Sequence, residues 1–195
     1  MTRTAWPNSV SIAAASLLGL AALLAAAPAR SAVTVFAGDQ AQACYQAAKL
    51  GDLAQTGIDD CTTALVSTPM SDRDRAGTFV NRGVVYMIHG QYRPAQVDFE
   101  AALKLDAGLG EAYVNHGAAL IAQRRYAEGI ADIDRGLPLA PGEPEKAYYN
   151  RALADEALDN LKAAYFDYLK ATQLKPAWAA PRTELARFSV RQSQP

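Results

Sequence analysis

Small and bulky hydrophobic residues recur along the middle of the chain with a period of 34 to 35 residues. The segments TFVNRG, AYVNHG and AYYNRA end at positions 83, 117 and 152. A second set, AQVDF, GIADI and AYFDY, ends at positions 99, 133 and 168 and so has the same spacing. Self-similarity at a fixed period of this length predicts a stack of equivalent structural repeats.

Each repeat unit predicts two helices joined by a short connection. The first helices are predicted over residues 76–88, 110–123 and 145–158, and the second helices over 93–105, 127–138 and 162–174. Short connections are typical of antiparallel neighbours. Pro141 and Pro176 follow the last two second helices, which they cannot continue because proline lacks an N–H and clashes with the preceding turn.

Small residues occupy the positions at which the two helices of a unit are predicted to cross. They stand at 83, 117 and 152 on the first helices and at 95, 129 and 164 on the second helices. Two helices can approach closely only where the side chains between them are small. Phe99, Ile133 and Tyr168 come one turn later and are predicted to fill the space beside each crossing.

This combination of spacing and residue types resembles the tetratricopeptide repeat (TPR) family, with units over 76–109, 110–143 and 145–178. The resemblance implies an all-α fold, a right-handed TPR-like solenoid of antiparallel helix hairpins whose first helices line a concave face. It also implies a protein that binds other proteins, although one fold of this kind serves many partners.

The residues on either side of the three clear units are predicted to extend the array. Residues 38–70 fit a degenerate TPR-like hairpin, in which Gly57 takes the small crossing position. Residues 71–75 are interpreted as an insertion before the next unit. Residues 179–191 are predicted to form one capping helix, whose Leu185 and Phe188 cover the apolar edge that a terminal repeat would otherwise expose to water.

The first 32 residues differ from the rest. Arg3 precedes a stretch without charge, residues 11–27, which small residues follow, and this order is typical of a secretory signal peptide. Cleavage after Ala29 fits best, with Ser31 and Ala32 as alternatives, and predicts a periplasmic or secreted protein. The alternative is an uncleaved helix that anchors the chain to the inner membrane, since these 17 residues approach the length that spans a bilayer.

The charge balance argues against a protein that binds nucleic acid. The net charge is −1, and no run of five or more like charges occurs. The two histidines, His89 and His116, lack the spacing of metal ligands, and the sequence has no glycine-rich phosphate loop. We therefore expect no metal, no cofactor and no small-molecule substrate.

Cys44 and Cys61 fall on the two helices of the degenerate hairpin, at positions predicted to face each other. An exported protein meets an oxidising compartment, so the pair is predicted to form a structural disulfide. The alternative, a redox-active pair, is disfavoured because the C-x-x-C spacing is absent.

Each second helix carries an aspartate sixteen residues after a basic residue on the first helix. The three pairs are Arg82 with Asp98, His116 with Asp132, and Arg151 with Asp167. We interpret them as structural ion pairs across the hairpin. A catalytic His116–Asp132 dyad is disfavoured, because arginine takes the histidine position in the flanking units and no serine or cysteine nucleophile has an equivalent place.

The first helices share an asparagine that is predicted to face the concave surface: Asn81, Asn115 and Asn150. A carboxamide can both donate to and accept from the backbone of an extended peptide. The resemblance supports this role, because many peptide-binding family members use an asparagine here. The alternative is that the asparagines bond the adjacent hairpin. The apolar residues predicted to share this peptide-binding surface are Val80, Val84, Val114, Ile121 and Tyr149.

Two functions follow. The first is an exported protein-interaction module, or adaptor, that binds a segment of a protein or peptide partner in the concave groove. The second is a structural or self-associating subunit of an envelope assembly with no peptide ligand. An enzyme is disfavoured, because the polar residues follow the repeat period instead of converging on one place.

Overall fold

A computed structural model of the chain describes residues 10–14, 29–36, 38–51 and 56–192. Over these residues the fold is an all-α, TPR-like solenoid with one short two-stranded ribbon added to it, so the predicted fold class is confirmed. Most of the predicted signal peptide, residues 1–9 and 15–28, lies outside the described residues. Among the helices that are described, none is both long enough and apolar enough to cross a membrane.

Four helix hairpins follow one another along the described chain. The helices are α1 (Gly38–Leu50), α2 (Thr56–Ser67), α3 (Asp72–Ile88), α4 (Tyr92–Leu105), α5 (Gly110–Ala122), α6 (Tyr126–Gly136), α7 (Pro144–Ala157), α8 (Leu161–Leu174) and α9 (Ala179–Leu185), with a 3-10 turn at Leu137–Leu139. The closest packing joins α3 to α4, α5 to α6, and α7 to α8. Each of these hairpins also packs on the next one, so the core runs along the stack.

The crossing of each hairpin depends on its small residues. A Cβ added at Gly83 would lie only 2.5 Å from Cε1 of Phe99, so the phenyl ring occupies the space that the missing side chain leaves. In the next hairpin, a Cβ at Gly117 would lie 2.6 Å from the carbonyl oxygen of Gly129. The two backbones therefore touch there, an approach that any larger side chain would prevent.

The turn between the two helices contains one left-handed residue in each of the three clear hairpins: Gly90 (φ 70°), Arg124 (φ 63°) and Asp159 (φ 64°). The next residue donates its N–H back into the first helix, as Gln91 does to the carbonyl of Tyr86 at 2.8 Å. This left-handed ending satisfies carbonyl groups that the helix leaves free, and it reverses the chain within a few residues.

Residues 72–75 are helical and lengthen α3 at its N-terminus relative to α5 and α7, so the extra residues before this unit extend its first helix. Ser71 caps α3, its hydroxyl accepts from the N–H of Asp74 at 3.1 Å, and Asp72–Arg75 forms the first helical turn. A serine at this position is a strong helix start signal, and acidic residues in the first turn interact favourably with the helix dipole.

The C-terminal segment also differs from the prediction of one capping helix over 179–191. The helix α9 ends at Leu185, and Phe188–Gln192 forms a strand, β2, paired antiparallel with β1 (Val10–Ala14). The sequence from 188 to 191 alternates apolar and polar residues, which favours a strand over a helix. The strand β1 lies within the predicted signal peptide.

A charged network holds this end of the chain on the last hairpin. The guanidinium of Arg187 donates to both carboxylate oxygens of Glu156, at 2.8 and 2.9 Å, and it also bonds Glu184. The hydroxyl of Tyr168 donates to the same buried Glu156 at 3.0 Å. The aromatic ring of Phe188 packs against Tyr168, with ring centroids 5.9 Å apart.

Residues 29–36 form no helix and no strand with a neighbour. They run across α7, α5 and α3, along the face that the first helices share. We call residues 29–36 the strap, and the surface beneath it, centred on the three repeated asparagines, the groove.

Candidate functional site

The three repeated asparagines each bond both backbone groups of one strap residue. Asn150 bonds Ala29, Asn115 bonds Ser31 and Asn81 bonds Val33. In each pair the backbone N–H donates to Oδ1 (2.8, 3.0 and 2.7 Å) and Nδ2 donates to the backbone carbonyl (2.7 Å in all three). Every second residue of the strap is therefore held, and the same edge of its backbone faces the asparagine row.

This arrangement has a direct chemical meaning. A carboxamide has one acceptor and one donor side, which match the N–H and C=O of a single residue in an extended chain. Since the contacts reach only backbone atoms, they recognise an extended conformation and its register, and they leave the sequence to be read by the side-chain spaces between them. The strap runs from α7 towards α3, which fixes its polarity in the groove.

Further contacts hold both ends of the strap. The Nζ of Lys146 donates to the carbonyl of Arg30 at 2.5 Å, and the N–H of Phe36 donates to Oδ1 of Asp74 at 3.2 Å. Asp74 belongs to the additional helical turn at the N-terminus of α3. Tyr45 on α1 also contacts the strap. Its phenol shares a side-chain hydrogen bond with Thr34 and another with Lys49, and these bonds lower the pKa of the phenol.

The absence of a side chain at Gly77 makes room for the strap. A Cβ at this position would lie 2.8 Å from Cγ1 of Val35 and 3.0 Å from Cγ1 of Val33. Val35 is 2% exposed and Ser31 is 1% exposed, so two alternate strap side chains are enclosed by the repeat array. Ala29 and Ser31 are small, whereas Val33 and Val35 are β-branched and pack over the glycine.

The strap leaves part of the groove empty. A cavity of about 370 Å³ lies between the strap, α1 and the start of α7, and its lining includes Arg30, Lys49, Glu143 and Lys146. A second cavity of about 350 Å³ continues towards Tyr149 and Trp178. Burial lowers the pKa of the Arg30 guanidinium, a sign that this cationic group is poorly solvated. The lining is predominantly basic.

Comparisons with known proteins agree with the repeat geometry. The tetratricopeptide repeat family profile matches residues 145–177. The matched residues cover the last hairpin, which α7 and α8 form. The mitochondrial import receptor subunit TOM70 of Rattus norvegicus is 33% identical over 106 residues, which are 52% of this chain but only 17% of that receptor.

Solved TPR structures share the fold. MamA superposes with a TM-score of 0.57 and 21% identity, covering 73% of this chain and 80% of that one. The second TPR domain of human RPAP3, solved in complex with the HSP70 peptide SGPTIEEVD, gives a TM-score of 0.50 and 24% identity, covering 55% of this chain and 89% of that domain. At this level of identity the likeness shows the fold alone.

The apolar residues predicted to line the groove lie mainly in the core between the helices. A Cβ at Gly136 would lie 2.9 Å from Cγ2 of Val114, and one at Gly129 would lie 2.6 Å from Cγ1 of Ile121, so both side chains point at α6 of their own repeat. Their assignment to the peptide-binding surface was wrong, because both side chains pack between the helices.

Val80 and Val84 are likewise completely buried, in the cluster that joins the first two hairpins. Tyr149 differs, since it borders the second cavity beside Ala29 and packs on Trp178 with ring centroids 4.9 Å apart. Burial, followed by the charge of Glu184, raises the pKa of Tyr149 to about 12.

The charged pairs join the two helices of each hairpin, away from the asparagine row. Both Arg82–Asp98 and Arg151–Asp167 are bidentate, with N–O distances of 2.7 to 3.0 Å. Burial raises the pKa of Asp98 in spite of the opposing effect of the Arg82 guanidinium. The third pair places Nδ1 of His116 2.6 Å from Oδ2 of Asp132, in the same place within its repeat. The histidine therefore replaces arginine in a structural position.

Cys44 and Cys61 form the predicted disulfide, with a Cα–Cα distance of 4.7 Å and both residues fully buried. It joins α1 to α2 in the hairpin whose packing motif is the weakest. Within the described part of the chain, no group of three or more histidine, cysteine or acidic side chains is placed to hold a metal ion.

The strap, Asp74 and Gly77 were not predicted as parts of the site. Residues 29–32 were predicted to be the cleavage region of a signal peptide, in which small residues are also expected. One signal was available, because residues 31–35 (SAVTV) combine small and β-branched residues, a composition typical of extended chain.

Proposed function

We propose that this chain is a protein-interaction module that binds an extended segment of a partner in the groove. The observation that carries the proposal is the row of three asparagines, each of which bonds both backbone groups of one residue, so that together they hold three alternate residues of an extended chain. That pattern is a general receptor for peptide backbone. The comparisons support it, since one neighbour was solved with a bound peptide and one relative is named as a receptor.

The proposed location is the periplasm or another exported compartment. The predicted signal peptide supports it, and so does the buried disulfide, because such bonds persist mainly in oxidising compartments. Cell fractionation of the chain expressed in its own host, with reducing and non-reducing electrophoresis, tests this location. Recovery of the full-length chain in the cytoplasm with free thiols would contradict it.

The groove is not suited to an acidic peptide terminus held by a row of cations. The two positions equivalent to Lys146 in the preceding repeats are Glu111 and Gly77. Glu111 accepts the N–H of Gly142 at 2.7 Å, which ties its carboxylate to the next repeat. The proposed ligand is therefore an internal extended segment, held by its backbone.

A test compares tagged full chain with the triple variant Asn81→Ala/Asn115→Ala/Asn150→Ala in pull-downs from the native extract, read by mass spectrometry. Asn160→Ala is the matched control, because Asn160 lies at the α7–α8 turn and bonds Asp155 at 3.2 Å instead of the strap. Cross-linking through Lys49, which borders the groove, and Lys162, which is exposed on α8, locates the bound segment. A partner lost only by the triple variant and cross-linked only to Lys49 supports the proposal. Equal recovery by all three proteins contradicts it.

A second candidate is a structural subunit whose groove never holds a partner. The observation that favours it is the strap itself, which already satisfies all three asparagines from within the chain. In that case the strap is a fixed part of the fold, and contacts with other proteins use a different surface. Unchanged partner capture by the triple variant, with cross-links on the outer face, is the result that selects this candidate.

A further inference from the structure

The strap is a ligand of the groove that the same chain supplies. It fills the asparagine row in one register, its alternate side chains Ser31 and Val35 are enclosed, and Gly77 makes room for Val33 and Val35. Any partner that uses the proposed binding mode must therefore displace it. The inference below rests on the proposed function.

Two features make the strap an imperfect ligand. The hydroxyl of Ser31 is buried and has no hydrogen-bond partner among the described residues, which is unfavourable relative to a methyl group in the same place. Arg30 borders a cavity whose lining also contains Lys49 and Lys146, with Glu143 as the one acidic side chain. Lys146 and Glu143 pair with each other at 2.6 Å, and no ion pair holds the guanidinium of Arg30 among the described residues, so burial leaves this cation without a charged partner.

We propose that the strap is a built-in competitor, and that the partner is an extended segment with an improved version of the strap pattern. That segment has small side chains at the positions of Ala29 and Ser31 and β-branched side chains at the positions of Val33 and Val35. At the position of Arg30 it has an acidic side chain, which faces Lys49 and Lys146. Extended segments that bind the groove too weakly to displace the strap are therefore excluded.

Tethering explains how an imperfect ligand still occupies the groove. A segment joined to its own receptor acts at an effective concentration of about 1 mM or more for a short linker. A free peptide with the same contacts must exceed that concentration to replace it, so its apparent affinity falls by the fraction of molecules whose groove is open. A better ligand, or a weakened strap, removes this penalty.

The first experiment measures binding of a fluorescein-labelled octapeptide, ARSAVTVF (residues 29–36), to the full 195-residue chain by fluorescence anisotropy. Val33→Pro removes the N–H that donates to Asn81, whereas the control Ala32→Pro removes a neighbouring N–H that does not donate to an asparagine. We expect Val33→Pro to bind the peptide at least tenfold more tightly than wild type, and Ala32→Pro to bind it like wild type. Adding Asn115→Ala to Val33→Pro should abolish binding.

A second strap variant keeps the test decisive if Val33→Pro does not fold. Val35→Asp places a carboxylate in a site that is 2% exposed, beside Asp74, so the strap is expected to leave the groove while the helices remain. Circular dichroism shows whether each variant is folded. If either folded variant binds the peptide no better than wild type, yet binding depends on Asn115, the groove takes peptides and the strap is not a competitor. If no folded variant binds the peptide at all, the proposed binding mode fails as well.

The second experiment tests the ligand pattern with peptides on the folded Val33→Pro chain. The peptide AEAAVTVF, with glutamate in place of Arg30 and alanine in place of Ser31, should bind at least tenfold more tightly than ARSAVTVF and should also displace the wild-type strap. Phenylalanine at the position of Ser31 should abolish binding, whereas phenylalanine at the exposed position of Thr34 should leave it within twofold. Equal binding of all these peptides overturns the pattern.

Discussion

Asn115 and Ser31 are 84 residues apart in the chain, yet the side-chain amide of Asn115 bonds both backbone groups of Ser31 at the centre of the groove. The N–H of Ser31 donates to Oδ1 of Asn115 at 3.0 Å, and Nδ2 of Asn115 donates to the carbonyl of Ser31 at 2.7 Å. Both residues are buried. Because the pair is buried, loss of the Asn115 amide would leave a backbone group of Ser31 without a hydrogen-bond partner, and such a group destabilises the folded protein.

Asn115→Asp is expected to destabilise the protein by about 1–3 kcal/mol, since a carboxylate accepts from the N–H of Ser31 but cannot donate to its carbonyl. Urea denaturation followed by circular dichroism measures the free energy of unfolding. Hydrogen exchange of the Ser31 amide should also accelerate. The control Asn160→Ala removes an amide outside the groove without placing a second carboxylate beside Asp155. A similar loss in both variants would show that the strap contact contributes nothing special.

The repeat register could be predicted from the sequence because packing repeats with the period. Gly83, Gly117 and Gly129 each permit a close contact that a Cβ would block, so their spacing carries the fold directly. The asparagine row could be predicted for the same reason. The strap could not, because it occurs once, and its small residues also suit a cleavage site. Val114 and Ile121 were wrongly predicted to line the groove. The pattern shows that these side chains are apolar, but it does not show whether they face the groove or the second helix of their own repeat.

Loss of the disulfide should weaken the first hairpin. Replacing Cys44 and Cys61 together by alanine is expected to cost about 3 kcal/mol, because the bond closes a loop with a sequence separation of 17 residues in the unfolded chain. The measurement is the free energy of unfolding in urea with and without a reducing agent. Reductant should lower the stability of the wild type to that of the double variant and leave the variant unchanged. A reductant effect on the variant would point to a different cause.

Removing one partner of the Arg82–Asp98 pair should be worse than removing both. Asp98 is 2% exposed, so Arg82→Met leaves a buried carboxylate without its bidentate partner, at a cost of about 2–3 kcal/mol. Adding Asp98→Asn removes that charge and should recover part of the loss. Thermal or urea unfolding of the four proteins completes a double-mutant cycle.

The same pair gives a pH dependence with a definite sign. Burial raises the pKa of Asp98 and Arg82 opposes the rise, so Arg82→Met should raise that pKa further. When a carboxyl has a higher pKa in the folded protein than in the unfolded one, its contribution to the free energy of unfolding is greatest below the unfolded pKa. That contribution is lost as the pH rises through the folded pKa. Arg82→Met should therefore be closer to wild type at pH 5 than at pH 8. A gap that does not change with pH would contradict this explanation.

The left-handed turn residues allow a test of backbone conformation alone. Gly90 has φ 70°, and a Cβ at this position would meet nothing within 4 Å. Gly90→Ala should therefore destabilise by about 1 kcal/mol through the left-handed conformation itself. The reverse change, Arg124→Gly at the equivalent turn, should not destabilise, because relief of the same strain offsets the added freedom of the unfolded chain. Equal losses in both variants would show that the conformation is not the cause.

The position at which the predicted signal peptide is cleaved should determine how many strap residues remain in the mature chain to occupy the groove. Removal of residues 1–29 would take away Ala29 and leave Asn150 without its backbone partners, whereas removal of residues 1–32 would also free Asn115. The intact mass of the protein purified from its native compartment identifies the mature N-terminus. A chain that starts at Val33 should bind the ARSAVTVF peptide more tightly than the full chain, because only the Asn81 contact remains to compete. A chain that starts at Arg30 should show a smaller gain, confined to the Asn150 end of the groove. An uncut chain that binds the peptide as tightly as either product would show that the strap has no hold on the groove.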